Sequence, residues 1–251
     1  MAQVGAAFGV VSSVFKNFNK AFRTKVDSST KQHLQNVYGC LTLGMLAATA
    51  GAYLQLTQAM FQSTLVMLLS SVGAFGFLIY VMSTKNQINS NRNRTGAFIG
   101  FTLCTGIGLG PLLEMAIVVN PSIVVTAFML TTLLFVSFTL AAIFAREGQW
   151  IYIGGSLMTM LSTLITLSLA NLFFGSKLLF DVTLYLGLVI MCGFILYDTQ
   201  LILEKVKQGD KDHVSHCIDL FIDFIGVFRR VLIILHSKEV EEKKKSNKSQ
   251  E

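Results

Sequence analysis

The sequence predicts an all-α fold, a polytopic membrane bundle of six or seven helices. No Lys, Arg, Asp or Glu falls between Lys31 and Lys85, and Glu114 alone breaks the stretch between Arg94 and Arg146. A spanning helix needs about 20 predominantly apolar residues, so each stretch has room for two. The composition agrees: 53% of the 251 residues are hydrophobic and 14% are charged, whereas soluble domains carry about 25% charge.

The spans fall near 36–57, 62–83, 95–118, 122–145, 150–171 and 179–203, and a shorter, more polar segment follows at 214–235. Short connections make consecutive helices antiparallel neighbours. The expected organisation is a cytosolic N-terminal segment (1–31), an integral membrane domain (32–235) and a charged C-terminal tail (236–251). The tail's run EVEEKKKSNKSQE reads as disordered. In the first segment, Phe8, Val11, Phe15, Phe18 and Phe22 recur at spacings of three and four, with Lys16, Lys20 and Arg23 on another face. That is the pattern of an amphipathic basic helix lying on a membrane surface. No basic region precedes an apolar one there, so no cleavable signal is read and the first span serves as its own insertion signal.

The formal charge of +6 sits in connections and tails, where it reports topology and not nucleic-acid binding. Lys16, Lys20, Arg23, Lys25 and Lys31 precede the first span. Lys85, Arg92 and Arg94, then Arg146, then Lys205, Lys207 and Lys211 fill alternate loops, while the opposing loops hold only Lys177. The positive-inside rule therefore puts the N-terminus in the cytosol. If 214–235 spans, Lys243, Lys244 and Lys245 end on the far side; if it is re-entrant, they return. Both readings stand at this stage.

Gly96 with Gly100 and Gly106 with Gly110 make two GxxxG pairs for close helix packing. The run TGIGLGP (105–111) ends in a proline that should kink or break the third span, making Gly110 and Pro111 a hinge. It is not a phosphate loop, since no Lys-Ser/Thr follows. Cys40, Cys104, Cys192 and Cys217 lie in apolar segments without metal-ligand spacing and read as buried thiols.

The chemistry lies in acids within apolar helices. Asp198 follows sixteen uncharged residues, Val182 to Tyr197. In the last segment His216, Asp219, Asp223, Gly226 and Arg230 recur on one helical face. An interfacial helix shows the same stripe, with its polar face in water. A carboxylate at membrane depth is expensive and faces a cavity, a partner or an ion path. If the last two helices pack face to face, Asp198 meets Asp223 or Asp219, and two such groups share a proton and bind a hard cation through oxygen. Glu114, near the opposite end of the third span, is the candidate for a non-cytosolic vestibule on an ion path. His213 and His216 read as loop and interface residues. No structural metal site or cofactor is expected; the ions in play are protons and a transiently bound hard cation at Asp198 and whichever of Asp219 and Asp223 it meets.

Catalysis is not expected. Tyr197-Asp198 resembles the YD element of intramembrane aspartyl proteases, but those enzymes pair it with GxGD, and here the second acid lies in LFIDF. No Ser-His dyad or HExxH appears.

Several blocks together carry a resemblance: TKQHLQNVY (30–38), TGIGLGPLLE (105–114), NPSIVVTAFM (120–129), LANLFFGS (169–176), MCGFILYDTQLILEK (191–205) and HCIDLFIDFIGVFRR (216–230). The chain resembles the transmembrane Bax inhibitor motif family over nearly its whole length. The resemblance implies six or seven helices in the endoplasmic reticulum membrane, suppression of apoptosis, a link to the unfolded-protein response, and a pH-sensitive calcium leak. It also implies a proton-sensing aspartate pair on the last two helices. By motif these are Asp198 in LYDTQ and Asp223 in LFIDF, which decides between Asp223 and Asp219. Some bacterial relatives hold the pair with an arginine in the second span, but residues 62–83 here contain no Arg or Lys. That latch does not carry over, and Arg229 or Arg230 is the candidate substitute.

The expected mechanism is a passive Ca²⁺ leak gated by protonation of the Asp198–Asp223 pair, lowering store calcium. Two alternatives accompany it. One is a membrane scaffold that binds death-promoting or stress-sensor membrane proteins; the other is a calcium/proton exchanger using the same acids.

Overall fold

The structure, a computed structural model, describes residues 27–84 and 91–248. The predicted amphipathic helix over 8–22, Lys25 and Lys85 lie outside the described residues.

Among the described residues seven α-helices follow one another: α1 Ser28–Thr57, α2 Thr64–Ser83, α3 Asn91–Val119, α4 Ser122–Phe144, α5 Gly154–Phe174, α6 Lys177–Lys207 and α7 His213–Lys248. There is no strand among the described residues. Six helices, α1 to α6, are long and apolar enough to cross a membrane. Their outer faces are apolar too: Leu65, Leu68, Val72 and Phe75 on α2 and Leu172 and Phe173 on α5 are all exposed. In water such a surface would drive association; against acyl chains it is the matched solvent.

The seventh helix occupies the middle. It packs against α1, α3, α4 and α6, and Val214, Cys217, Leu220, Phe221, Val227 and Leu232 are buried around its circumference. Phe221 meets Phe98 and Phe101 of α3 edge-on, with ring centroids 6.0 and 5.6 Å apart. Phe224 meets Phe128 and Phe135 of α4 at 5.9 and 5.5 Å. The polar stripe of α7 therefore does not mark an interfacial helix. It tolerates its charges because other helices cover it.

Nor is α7 re-entrant. It starts beside Arg94, at the end of the bundle where α3 begins, and runs through to the opposite end. There Glu239 accepts a hydrogen bond from Asn120 Nδ2 at 3.1 Å, Lys243 donates to the Val119 carbonyl, and Glu241 pairs with Lys177 at 3.2 Å. The expected disordered tail is consequently helical as far as Lys248. Two physical reasons apply. Glu239–Lys243 and Glu241–Lys245 are favourable i,i+4 pairs in the stabilising order, and the contacts to the 119–120 turn and Lys177 anchor the extension.

α1 and α3 form a close seam because glycines remove the side chains between them. Gly51 of α1 lies against the Leu103 carbonyl and Gly106 of α3 against the Ala48 carbonyl, so any Cβ there would collide with backbone. Gly110 lies against the Gln55 side chain. The other GxxxG pair works differently: Gly100 sits under the Phe77 ring, while Gly96 faces open space. α3 continues through Pro111 without a break. The proline removes one backbone donor, the one that would reach the Ile107 carbonyl, and membrane helices tolerate that loss when neighbours hold them.

Candidate functional site

The acid pair is placed by a short connection between α6 and α7. α6 ends at a left-handed Gly209, φ 94°, with Gly209 N–H bonding the Val206 carbonyl and Asp210 N–H bonding the Lys205 carbonyl. This is the Schellman arrangement, which favours glycine at that position. Three residues later Asp212 caps α7: its Oδ1 accepts from Ser215 N at 3.2 Å and its Oδ2 from Ser215 Oγ at 2.7 Å. The two helices then run antiparallel from a fixed turn.

Register does the rest. Asp198 lies nine residues before the end of α6, and Asp223 ten residues into α7. At 1.5 Å per residue each is about 14 Å from the turn. The two carboxyls come within hydrogen-bonding reach of each other, and Asp219, one turn earlier, lies close enough to act on both. Asp223 is 4% exposed and Asp198 is half-buried. Neither makes an ion pair with Lys or Arg among the described residues. A direct contact between two carboxyls requires a proton between them, and without it the pair repels or takes a cation.

The other sequence candidates are not gathered here. Glu114 stands exposed on α3, toward the opposite end of the bundle from the acid pair. Arg229 and Arg230 lie six and seven residues beyond Asp223, about two turns or 10 Å along the axis. They line a lateral cleft instead, so neither substitutes for the missing second-span arginine as a partner of the pair. Gly110, next to Pro111 in the chain, lies against Gln55, whose buried amide has no partner at either atom among the described residues.

Three features escaped the sequence reading. Arg94, read only as a loop cation, is 2% exposed and donates to both Asp212 carboxylate oxygens, at 2.9 and 2.7 Å, to Ser215 Oγ at 3.0 Å and to the Val81 carbonyl at 3.4 Å. It thus joins the end of α2, the start of α3 and the cap of α7. Burial opposes the charge of Asp212, but the hydrogen bonds from Arg94 and Ser215 outweigh it and hold its carboxyl at about 2. His33 of α1 and His216 of α7 form a buried pair, Nε2 to Nδ1 at 2.9 Å. Gln200, two residues after Asp198, accepts from Trp150 N at 2.7 Å and donates to the Ala142 and Arg146 carbonyls, at 3.1 and 3.0 Å. It fastens the α4–α5 connection to α6. Gln200 stands within LYDTQ and His33 within TKQHLQNVY, so those blocks carried their signal; the single-chain pattern around Arg94 carried none.

At the same end a cleft of about 700 Å³ opens between the start of α1 and the ends of α4 and α6, with Asp27, Glu147 and Glu204 among its lining. Glu147 is paired with Lys207 at 2.6 Å.

These features define a helical polytopic membrane protein whose central helix carries one of two meeting carboxyls. Comparison with known proteins specifies it further. The profile of the family described as "Inhibitor of apoptosis-promoting Bax1" matches residues 30–240. The chain is 47% identical to Bax inhibitor 1 of Homo sapiens over 229 residues, covering 91% of this chain and 95% of the relative. It is 46% identical to that of Bos taurus over 230 residues, 91% and 96% of the two chains. Bax inhibitor 1 of Arabidopsis thaliana is 37% identical over 217 residues, 86% and 85% of the two chains. The chain belongs to the Bax inhibitor family of anti-apoptotic membrane proteins.

Proposed function

We propose that the chain is a pH-sensitive calcium leak channel of the endoplasmic reticulum membrane, which lowers store calcium and so blunts calcium-driven death and stress signals. The observation that carries this reading is the meeting of Asp198 and Asp223 inside an apolar bundle, with Asp219 one turn away and, among the described residues, no basic side chain paired to the two. Carboxylate oxygens are the ligands Ca²⁺ prefers. Protons compete for the same oxygens, so proton and calcium occupancy are alternatives. With a proton shared, the seam between α6 and α7 closes on itself; without it, the oxygens turn to a cation.

The end carrying Arg94, Arg146, Lys205 and Lys207 faces the cytosol in this reading, by the positive-inside rule. The acidic cleft beside Gln200 is then the cytosolic mouth. Because α7 runs through the bundle, its Lys238–Lys248 end emerges on the other side, an exception to the rule at the last helix.

The test is store calcium in cells lacking their own family member. Re-expressed wild type lowers store calcium and protects against calcium-driven death, and Asp223→Asn does neither while still reaching the reticulum. Protection by Asp223→Asn with store calcium unchanged sinks the leak and leaves a scaffold.

A further inference from the structure

Two guanidinium groups of α7 face a lateral cleft of the bundle with no ion pair among the described residues. Arg229 and Arg230 of α7 line a lateral cleft of about 920 Å³ bounded by α3 and α2 on one side and by α5 and α6 on the other. That volume lies in the range of small-molecule sites, about 300–1,000 Å³. Phe75 and Leu78 of α2, Phe180 and Leu184 of α6 and Ile225 of α7 form much of its wall. Arg229 is exposed there. Arg230 is half-buried, and its only hydrogen bond among the described residues is from Nη1 to the Gly226 carbonyl at 3.1 Å. Neither makes an ion pair among the described residues.

Room has been made for Arg230. Its Nε lies against Gly187 of α6, where a Cβ would collide with the guanidinium, and its Nη1 passes Gly226. The position is also deep. Arg230 precedes Glu239, which meets the 119–120 turn, by nine residues, about 13 Å along the axis. A cation at that depth is expensive unless an anion or water meets it.

We propose that the cleft is a binding site for a single-chain anionic amphiphile, a long-chain fatty acid, with its carboxylate on Arg229 and Arg230 and its chain along the apolar wall. The planar guanidinium matches a carboxylate in a two-point hydrogen-bonded contact. Depth selects the single chain. A phospholipid would have to draw its phosphate, its glycerol and two chains about 13 Å below the interface, whereas a fatty acid enters protonated as one chain and ionises at the arginines.

The experiment uses the full chain in phosphatidylcholine nanodiscs, with the fluorescent fatty acid cis-parinaric acid as probe and oleate, oleyl alcohol and dioleoyl phosphatidate as competitors. Saturable binding is expected, with oleate displacing the probe at least tenfold better than oleyl alcohol. Affinity falls at least tenfold in the doubly substituted Arg229→Gln, Arg230→Gln chain. It falls similarly in Leu184→Trp, which fills the cleft and keeps both charges. Equal displacement by oleate and oleyl alcohol overturns the proposal, as does wild-type affinity in the double variant. Stronger displacement by phosphatidate than by oleate also overturns it and makes this a phospholipid site. If the arginine variants do not fold, the oleate and oleyl alcohol comparison on wild type decides alone.

Discussion

Arg94 and Asp212 face each other in a two-point ion pair, with Nη2 to Oδ2 at 2.7 Å and Nη1 to Oδ1 at 2.9 Å. Both side chains are almost fully buried, at 3% and 9% exposure. Because Asp212 is also the cap of α7, the pair fixes the height at which α7 begins. That height brings Asp223 level with Asp198. A contact outside the acid site therefore sets the geometry of the acid site.

Removing the arginine leaves a buried carboxylate without its partner, and breaking a buried pair in this way costs about 3–5 kcal/mol. Arg94→Ala should lower the thermal midpoint of the purified protein by several degrees. Arg94→Lys should restore little, since a point ammonium cannot serve Asp212, Ser215 and Val81 together. A midpoint unchanged in Arg94→Ala would remove the tether from the account.

The same pair gives a pH dependence whose sign follows from linkage. Asp212 is held at about 2 in the folded chain, below the value of about 3.9 for an unfolded aspartate. Its stabilisation is therefore fully present above about pH 4 and fades as pH falls toward 2. The difference in thermal midpoint between wild type and Asp212→Asn should be large near neutrality and shrink across that window. A constant difference would mean that the carboxylate's charge is not what stabilises the turn.

The seam of α1 and α3 makes a prediction about glycine. At Gly106 a side chain would meet the Ala48 carbonyl, and overpacking of this kind costs about 1–3 kcal/mol or more. Gly106→Val should destabilise accordingly. Gly96 belongs to an identical sequence pattern but faces open space, so Gly96→Ala should be neutral or stabilising by up to about 1 kcal/mol. Paired unfolding measurements decide whether spacing or contact governs.

Gln200 supplies a fourth. Its amide serves one donor and two acceptors at the α4–α5 connection. Truncation in Gln200→Ala orphans these groups, at about 1–3 kcal/mol for each that stays buried. Hydrogen exchange at Trp150 N should rise sharply in the variant, while exchange in the α1–α3 seam should not change.

Much of this molecule was legible in its residues. Span limits follow directly from the charge-free runs: 122–145 became Ser122–Phe144, and 62–83 became Thr64–Ser83. Helix ends carrying charge were harder. The predicted segment 214–235 became a helix reaching Lys248, because its anchors, Asn120 and Lys177, are distant in sequence. The acids were legible in part: two expensive charges in adjacent helices suggested a meeting, but Asp219 and Asp223 lie one turn apart on the same face, and the choice of Asp223 rested on the resemblance of LFIDF. Arg94 was not, since a buried arginine and a loop arginine look alike until the partner arrives 118 residues later. Glu114 shows the reverse. An acid in an apolar run suggested a non-cytosolic vestibule; the structure shows it exposed on α3, and a GxxxG stripe alone does not fix the helical phase that decides this.

The measurement that tests the central claim most directly is calcium efflux from liposomes holding the purified protein, across a pH series, for wild type, Asp223→Asn and Asp198→Asn. The account predicts that wild type leaks calcium with a pH dependence lost in both variants, each of which removes one of the two carboxylates that share the proton. Efflux no greater than that of empty vesicles, or a pH dependence that survives both substitutions, would contradict it.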